Sequence, residues 1–450
     1  MTLACENDEI PAVPVAGPVS LRARLASGAM WALLAAVAGQ AAGAAVGIVI
    51  ARVIGRERFG ELGMLRSTLA MFEAFSSLGA GAVAVKYVAE LRETNPERAG
   101  RLIGLASIIA LVCGCVMTLL VLVGAQSLAR HALDGPNAAD APRLVALIRW
   151  MAPVLPFSAL SAVYVGALNG VGAFKALSMG TLAIALLNSG VAVALVLVAG
   201  VPGVILAQLG CTVVGLVIFR ALLARKCRAT GITIRYRDSW AERRVVWHFA
   251  VPTVLGSILV APVMWICNAI LVNSPRGYAQ MGLFNAANQW RVMLLFLPSV
   301  IAGPLLPIMS NLYGTGQFAR LRRALIKSLS ANILMVGLAA SVVACFSRWL
   351  MGLYGRGFED AVPTLLTVLG VAVLLAAGTV VAQLITSTGA MWMGLSFNAM
   401  WAAVMIVSAM ILVPRLGALG LGLSYVIAYF VHTLVQLIYL WRRLRALEVS

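Results

Sequence analysis

Long apolar stretches, separated by short polar ones, run along almost the whole chain. Twelve of them have the roughly 20 residues that a helix needs to cross a hydrocarbon core about 30 Å thick. The predicted spans are 27–51, 61–88, 102–129, 144–168, 176–199, 201–223, 246–273, 279–309, 324–351, 361–386, 390–413 and 416–441. The pattern therefore predicts an all-α integral membrane protein with twelve transmembrane helices.

The second half of the chain repeats the first half in weakened form. Residues 59–63, FGELG, reappear at 278–282 as YAQMG, an offset of 278 − 59 = 219. The pairs Gly172/Gly389 and Gly203/Gly420 share an offset of 217, from 389 − 172 and 420 − 203. Because an even number of spans separates equivalent positions, both halves cross the membrane in the same sense. The repeat predicts two six-helix lobes related by a pseudo-twofold axis along the membrane normal.

Composition agrees with a membrane protein. The chain is 62% hydrophobic and 11% charged, whereas soluble domains average about 45–50% apolar and about 25% charged residues. The net charge of +18 raises the question of nucleic-acid binding, but the basic residues lie on short loops beside the spans. Their distribution over alternate loops favours a topology with both termini in the cytoplasm.

The loops also suggest how the chain is divided. We expect a disordered cytoplasmic tail, an N-lobe, a basic cytoplasmic linker, a C-lobe and a second cytoplasmic tail. The boundaries are 1–20, 21–224, 225–245, 246–441 and 442–450, in that order.

No pattern for enzyme chemistry is found in the sequence. It contains no phosphate-binding GxxxxGK[ST] loop, HExxH motif, nucleophile elbow or dinucleotide fingerprint. The seven cysteines lie singly, and Cys113 and Cys115 face different directions on a helix, so no metal site or disulfide framework is indicated. His131, His248 and His432 are far apart. We expect no enzyme activity, no bound metal and no cofactor, which leaves transport.

Two predicted spans carry polar residues that lipid disfavours. In span two, Arg66 and Glu73 are seven residues apart, so both lie on one helix face about 10 Å apart along the axis. Span eight, its repeat partner, carries Asn285, Asn288, Gln289 and Arg291. Charged groups within a membrane usually face a cavity or a partner. We therefore predict that these side chains line a cavity.

The repeat also relates an acid to a base. Subtracting 219 places Arg291 at position 72, next to Glu73. The two could form a bridge that only pins the lobes or one that opens for an anionic ligand, or they could never meet. Arg66 either faces the cavity or extends to the membrane interface, where Arg52 and Arg56 are also expected.

Helix-weakening residues fall at matching positions in the two halves. The pairs are Gly79 with Pro298 and Gly43 with Pro262, each 219 apart, and Gly81 adjoins the first pair. Matched breaks in transporters mark hinges next to the transport site. The alternative is that these glycines only allow close helix packing.

Four segments resemble a known group. They are GAMW at 28–31, IARVIGRERFG at 50–60, SLGAG at 77–81 and KYVAE at 86–90. The chain resembles the polysaccharide transporter branch of the multidrug/oligosaccharidyl-lipid/polysaccharide exporter superfamily.

This resemblance implies a flippase that moves an undecaprenyl-diphosphate-linked oligosaccharide to the periplasmic leaflet by alternating access, for O-antigen, capsule or exopolysaccharide assembly. It also implies a location in the bacterial inner membrane, contact with membrane lipids, and possible polymerase and glycosyltransferase partners. The implied cavity is lined by spans one, two, seven and eight. By local reasoning, Arg66 and Arg291 would bind the diphosphate. The amides Asn285, Asn288 and Gln289 would bind sugar hydroxyls, and Glu73 would couple transport to H⁺ or Na⁺.

Two other functions remain open. A multidrug or cation antiporter of the same superfamily would have the same spans but would use buried carboxylates, and Glu73 is the only one well inside a predicted span. A non-transporting scaffold could dock polysaccharide-assembly enzymes on the basic linker, but it would leave the polar faces within the membrane unexplained.

Overall fold

The computed structural model describes residues 21–132, 141–243, 259–387 and 391–449, and every regular element in these ranges is helical. The helices are α1 (Leu21–Ser76), α2 (Ala80–Leu91), α3 (Pro96–Ala132), α4 (Ala141–Met151), α5 (Val154–Val171), α6 (Phe174–Ala229), α7 (Val260–Val272), α8 (Gly277–Gly314), α9 (Phe318–Cys345), α10 (Ser347–Leu353), α11 (Val362–Ser387) and α12 (Met391–Val449). Short 3₁₀ turns lie at Ser239–Glu242 and Glu359–Ala361.

These helices make up the twelve predicted transmembrane spans. Helices α1, α6 and α12 each contain parts of two spans, which meet without a loop at Gly55, Gly200 and Gly417, all with positive φ. Glycine allows this turn because it lacks a Cβ. Span two continues from α1 into α2, and span four consists of α4 and α5. The twelve-span prediction is confirmed, although the first part of span seven, 246–258, lies outside the described residues.

The backbone confirms the internal symmetry. Gly200 has φ 61° and ψ −134°, and Gly417, 417 − 200 = 217 residues later, has φ 56° and ψ −129°. Gly203 lies against the carbonyl oxygen of Leu195, and Gly420 lies in the same way against that of Leu412. The offset predicted from Gly203 and Gly420 therefore relates equivalent bends and equivalent close contacts. Gly389, from the other predicted pair, lies outside the described part of the chain.

The repeated segments 59–63 and 278–282 pack against each other where α1 meets α8. A Cβ on Gly60 would overlap the carbonyl oxygen of Tyr278, and one on Gly282 would overlap the carbonyl oxygen of Arg56. Glycine at these positions therefore lets the two backbones approach closely. The motif that revealed the repeat lies at the interface between the lobes.

Further contacts close one end of the lobe interface. Phe59 packs against Tyr354 and Phe358, with ring centroids 6.3 and 6.1 Å away. Arg56 Nη1 donates to Gly357 O and pairs with Asp360 Oδ2, both at 3.0 Å. We call this the outer end, because the predicted topology places it outside the cytoplasm.

The predicted linker begins as helix, since α6 continues through Ala229. Beyond it, the Arg235 amide donates to Gly100 O at 3.4 Å, and Glu242 pairs with Arg98 and Arg101 at 3.0 and 3.5 Å. The linker is thus packed on α3 as far as residue 243. Residues 1–20 and 244–258, including His248, lie outside the described residues, and α12 continues through most of the predicted second tail to Val449.

The five predicted hinge residues differ in structure. Gly79 has φ 68° and separates α1 from α2. Gly43, Gly81, Pro262 and Pro298 lie within helices α1, α2, α7 and α8. The expected match between breaks at Gly79 and Pro298 is wrong in this conformation, because α8 continues through the proline. Neighbouring helices can stabilise such a proline within a membrane by satisfying the freed backbone groups.

Candidate functional site: a cavity between the lobes

A cavity of about 540 Å³ lies between the two lobes, within the usual range of ligand pockets. Its wall is formed by spans one, two and five of the N-lobe and spans seven, eight and twelve of the C-lobe. The polar and charged side chains in the wall are Gln40, Arg66, Ser67, Asn188, Ser189, Asn268, Asn285, Asn288, Gln289, Arg291 and Tyr425. The structure brings five of the predicted site residues together here: Arg66, Asn285, Asn288, Gln289 and Arg291.

Arg66 belongs to this wall and its side chain is exposed there. It lies one repeat away from Asn285, since 285 − 66 = 219, so equivalent positions of the two lobes face the same space. Of the two expected locations for Arg66, the cavity is therefore correct. A guanidinium in a polar cavity avoids the cost of placing a charge in lipid.

Arg291 is positioned by two neighbours in the C-lobe. Its Nε donates to Asn288 Oδ1 at 2.7 Å, and its guanidinium carbon lies 5.5 Å from the centre of the Tyr425 ring. The Tyr425 hydroxyl donates in turn to Met264 Sδ at 2.6 Å. The other N–H groups of Arg291 have no hydrogen-bond partner among the described residues. They are therefore available to a ligand in the cavity.

The charge in this cavity is positive. Among the described residues that line it, the charged side chains are Arg66 and Arg291, and no carboxylate is present. Charge-assisted hydrogen bonds are about twice as strong as neutral ones, and Arg presents a fork suited to phosphate or carboxylate. The electrostatics therefore favour an anionic ligand.

The amides at the cavity have different roles. Gln289 Nε2 donates to Gly43 O at 3.1 Å and to Ala44 O at 3.2 Å, while its Oε1 accepts from Tyr354 Oη at 2.9 Å. Gln289 thus joins the two lobes, and its hydrogen-bonding groups are already in use. Asn288 supports Arg291, so both amides have structural contacts that the sequence did not reveal.

Asn268 is a better candidate for a ligand contact. Its Nδ2 donates to Ser67 Oγ at 2.8 Å across the lobe interface. Its buried Oδ1 accepts no hydrogen bond from the described residues. A buried acceptor without a partner is costly, so a ligand hydroxyl or water that donates to it would be favoured.

A smaller cavity of about 200 Å³ lies inside the N-lobe, and Arg66 forms part of both walls. Glu73 and Gln208 also line it. Ser158, whose hydroxyl donates to Leu155 O at 3.0 Å, lies near the Glu73 carboxylate. Arg66 and Glu73 thus face one cavity, as their spacing predicts.

Glu73 and Arg291 do not form an ion pair in this conformation. Glu73 faces Ser158 inside the N-lobe, while Arg291 is held against Asn288 and Tyr425 in the C-lobe. The repeat places Arg291 at the equivalent of position 72, so Glu73 and Arg291 lie at similar depths. However, an offset of one residue turns a side chain by about 100° around a helix. That rotation separates the acid from the base.

Several lining residues were missed by the sequence analysis: Gln40, Ser67, Asn188, Ser189 and Tyr425. One signal was available for Tyr425. Its equivalent in the N-lobe is Gln208, since 425 − 208 = 217, and Gln208 is itself an uncommon polar residue within a span. The same positions on spans six and twelve therefore face polar space.

A family model described as "polysaccharide biosynthesis protein" matches residues 25–313. The chain belongs to this family. A relative from Ralstonia nicotianae, named EPS I polysaccharide export inner membrane protein EpsE, is 28% identical over 234 residues. That alignment covers 48% of this chain and 52% of the relative. The protein of the same name from Ralstonia solanacearum is 28% identical over 203 residues, 43% of this chain and 45% of the relative. The chain thus matches about half the length of these curated relatives.

Solved structures define the fold of this polysaccharide biosynthesis family member. An inward-facing multidrug resistance MATE family transporter of the MOP superfamily has a TM-score of 0.70 at 17% identity, covering 92% of this chain and 96% of the other. A MOP superfamily transporter from Pyrococcus furiosus also gives 0.70 at 18% identity, covering 94% and 96%. At this identity the likeness establishes only the fold. The family match and the structural likeness together give a polysaccharide biosynthesis family member with the helical fold seen in these transporters.

Proposed function

We propose that the protein is a flippase for polyprenyl-diphosphate-linked oligosaccharide, with undecaprenyl as the lipid, acting in the assembly of a surface polysaccharide such as O-antigen, capsule or exopolysaccharide. The observation that carries this proposal is the charge of the central cavity, to which Arg66 and Arg291 contribute and no carboxylate among the described lining residues. A diphosphate in a poorly solvated cavity requires such donors. The family supports a polysaccharide-related substrate.

The two arginines would share the diphosphate across the lobe interface. Arg66 belongs to the N-lobe and Arg291 to the C-lobe, so an anion held by both would contact both moving parts. Asn268 Oδ1 and the hydroxyls of Ser67 and Ser189 offer hydrogen bonds to the first sugars. The lipid tail would remain outside the cavity, in the membrane.

The contacts at the outer end support alternating access. That end is held closed by Gly60 against Tyr278 and by the Arg56–Asp360 ion pair, so the substrate would enter from the cytoplasmic side. Rocking of the lobes would separate these contacts and expose the cavity outward. Binding of H⁺ or Na⁺ at Glu73 would drive the cycle by its different affinity for the two states.

The proposed setting is the bacterial inner membrane, as in the names of the Ralstonia relatives. Both termini would lie in the cytoplasm. Glycosyltransferases that build the glycan and a polymerase that consumes it are the proposed protein partners.

The test uses liposomes containing the purified protein and a fluorescent undecaprenyl-diphosphate oligosaccharide, with transfer between leaflets as the readout. We expect the wild type and Arg415→Ala, which changes an exposed arginine outside both cavities, to transfer the lipid. Arg291→Ala and Arg66→Ala should lose most transfer while remaining folded.

Two results would contradict the proposal. Normal transfer by both cavity variants would remove the arginines from substrate binding. No transfer by the wild type, together with Glu73-dependent uptake of an organic cation, would instead establish the multidrug or cation antiporter.

A further inference from the structure

A separate cavity of about 1050 Å³ lies at the outer end of the molecule. Its wall includes Arg52, near the end of span one, and Arg348 and Trp349 of α10. Glu359 and Asp360 of the following turn also line it. None of these residues lines the central cavity. The outer cavity therefore constitutes a distinct feature of the surface.

The side chains around the outer cavity have unused binding capacity. Arg52, Arg348 and Glu359 form no ion pair within the described part of the chain. Trp349 is 64% exposed. Guanidinium groups donate hydrogen bonds, a carboxylate accepts them, and an indole ring offers a flat apolar surface.

This combination suits a saccharide. Sugar hydroxyls accept hydrogen bonds from arginine and donate them to carboxylates, while the C–H face of the ring packs on an aromatic surface. Two arginines and two carboxylates line the same cavity, so neither a simple anion nor a simple cation matches it. We propose that the outer cavity binds a segment of the oligosaccharide at the outer face of the membrane.

The outer cavity is complete only while the outer end is closed. Arg52 belongs to the N-lobe, whereas Arg348, Trp349 and Glu359 belong to the C-lobe. The Arg56–Asp360 ion pair at 3.0 Å joins the lobes beside it. A saccharide bound across this junction favours the closed outer end, because a ligand stabilises the state that it binds better. Assuming the proposed flippase function, exported glycan at this site would help the transporter return to its cytoplasm-facing state.

The first experiment measures binding by saturation-transfer NMR with the purified protein. The probe is the reducing oligosaccharide released by mild acid from the host's polyprenyl-diphosphate glycans. We expect Trp349→Ala to weaken binding roughly tenfold, equivalent to about 1.4 kcal/mol, and Trp349→Phe to retain most of it. Trp240→Ala changes a tryptophan of similar exposure, 61%, in the linker and should bind as the wild type does.

The second experiment adds the same oligosaccharide to the outer side of liposomes during transfer of the lipid-linked glycan. It should slow the wild type several-fold and have little effect on Trp349→Ala. The outer-site proposal would be overturned if the wild type transfers the lipid but does not bind the probe. It would also be overturned if the wild type and Trp349→Ala bind the probe equally. Either result would leave the flippase proposal intact. Trp349-dependent binding without transfer would support the outer site and overturn the flippase proposal.

Discussion

The guanidinium of Arg291 lies over the face of the Tyr425 ring, 5.5 Å from its centre. The ring is buried, and its hydroxyl donates to Met264 Sδ. A cation over an aromatic face is attracted by the ring quadrupole, most strongly where water is excluded. Tyr425 therefore holds the guanidinium of Arg291 at the cavity wall. A carboxylate in its place would neutralise the positive charge, whereas the tyrosine ring does not.

Replacing Tyr425 should separate the role of the ring from that of the hydroxyl. A cation–π contact is worth about 0.5–2 kcal/mol, so Tyr425→Leu should weaken binding of the lipid-linked oligosaccharide by roughly 2–30-fold. Tyr425→Phe retains the ring and should bind nearly as the wild type does. Fluorescence titration with the labelled lipid measures both affinities. Equal losses in the two variants would show that the hydroxyl contact with Met264 matters instead.

Glu73 is the carboxylate expected to bind the coupling ion. It lies in the small N-lobe cavity with Arg66 and Gln208, so a proton or Na⁺ bound there would change the charge next to an arginine of the central cavity. Glu73→Gln should transfer lipid at a rate that no longer depends on pH or Na⁺. Glu90→Gln alters an exposed carboxylate at the end of α2 and should retain the dependence. Liposome transfer across a pH and Na⁺ series measures both. An unchanged dependence in Glu73→Gln would remove Glu73 from coupling.

The spans and the repeat were predictable because each depends on local sequence. Lipid requires long apolar stretches, and turns such as those at Gly200 and Gly417 require glycine at a fixed offset. The polar face of span eight likewise identified Arg291 at the central cavity.

Pairing between helices was less predictable. Periodicity shows which residues share a helix face, but it does not show which neighbour that face meets. Glu73 therefore turned out to face Ser158 and not Arg291, and Gln289 to bond the span-one backbone. Tyr425 was missed because an aromatic residue within an apolar span is distinguished only by its polar repeat partner, Gln208.

Gly60 allows the lobes to close at the outer end, since a Cβ there would overlap the Tyr278 carbonyl oxygen. A backbone atom cannot move aside as a flexible side chain can, so Gly60→Ala should force α1 and α8 apart. Overpacking of this kind costs about 1–3 kcal/mol, enough to shift a two-state population by roughly 5–150-fold. We expect the outer end to open.

Spin labels at Glu57 and Glu359, both exposed near the outer end, would report this opening in a cysteine-depleted background. The labelled pair should show a longer distance in Gly60→Ala. Gly337→Ala, in α9, provides the control, since among the described residues nothing beyond its own helix backbone lies within 4 Å of its added Cβ. Unchanged distances in Gly60→Ala would show that the interface adapts without opening.

A substitution at Gly200 measures the backbone strain at the bend that the two lobes share, without changing side-chain packing. Its φ of 61° and ψ of −134° suit only glycine, and among the described residues nothing beyond its own helix backbone lies within 4 Å of an added Cβ. Gly200→Ala should therefore cost about 1–3 kcal/mol of stability through strain alone. Gly190→Ala, in the same helix and equally uncrowded, should gain about 0.5–1 kcal/mol, because alanine favours helix over glycine.

The symmetry-equivalent Gly417 should be more sensitive than Gly200. Its backbone is bent in the same way, but an added Cβ would also meet the side chain of Gln280, whose Oε1 accepts a 3.0 Å hydrogen bond from the Ala418 amide. Gly417→Ala therefore combines backbone strain with the loss of a contact between spans eight and twelve. Thermal unfolding in detergent should rank the melting temperatures in the order Gly190→Ala, wild type, Gly200→Ala, Gly417→Ala, from highest to lowest. If Gly200→Ala is as stable as the wild type, the bend at Gly200 tolerates a Cβ. The matching bends at Gly200 and Gly417 would then not require glycine.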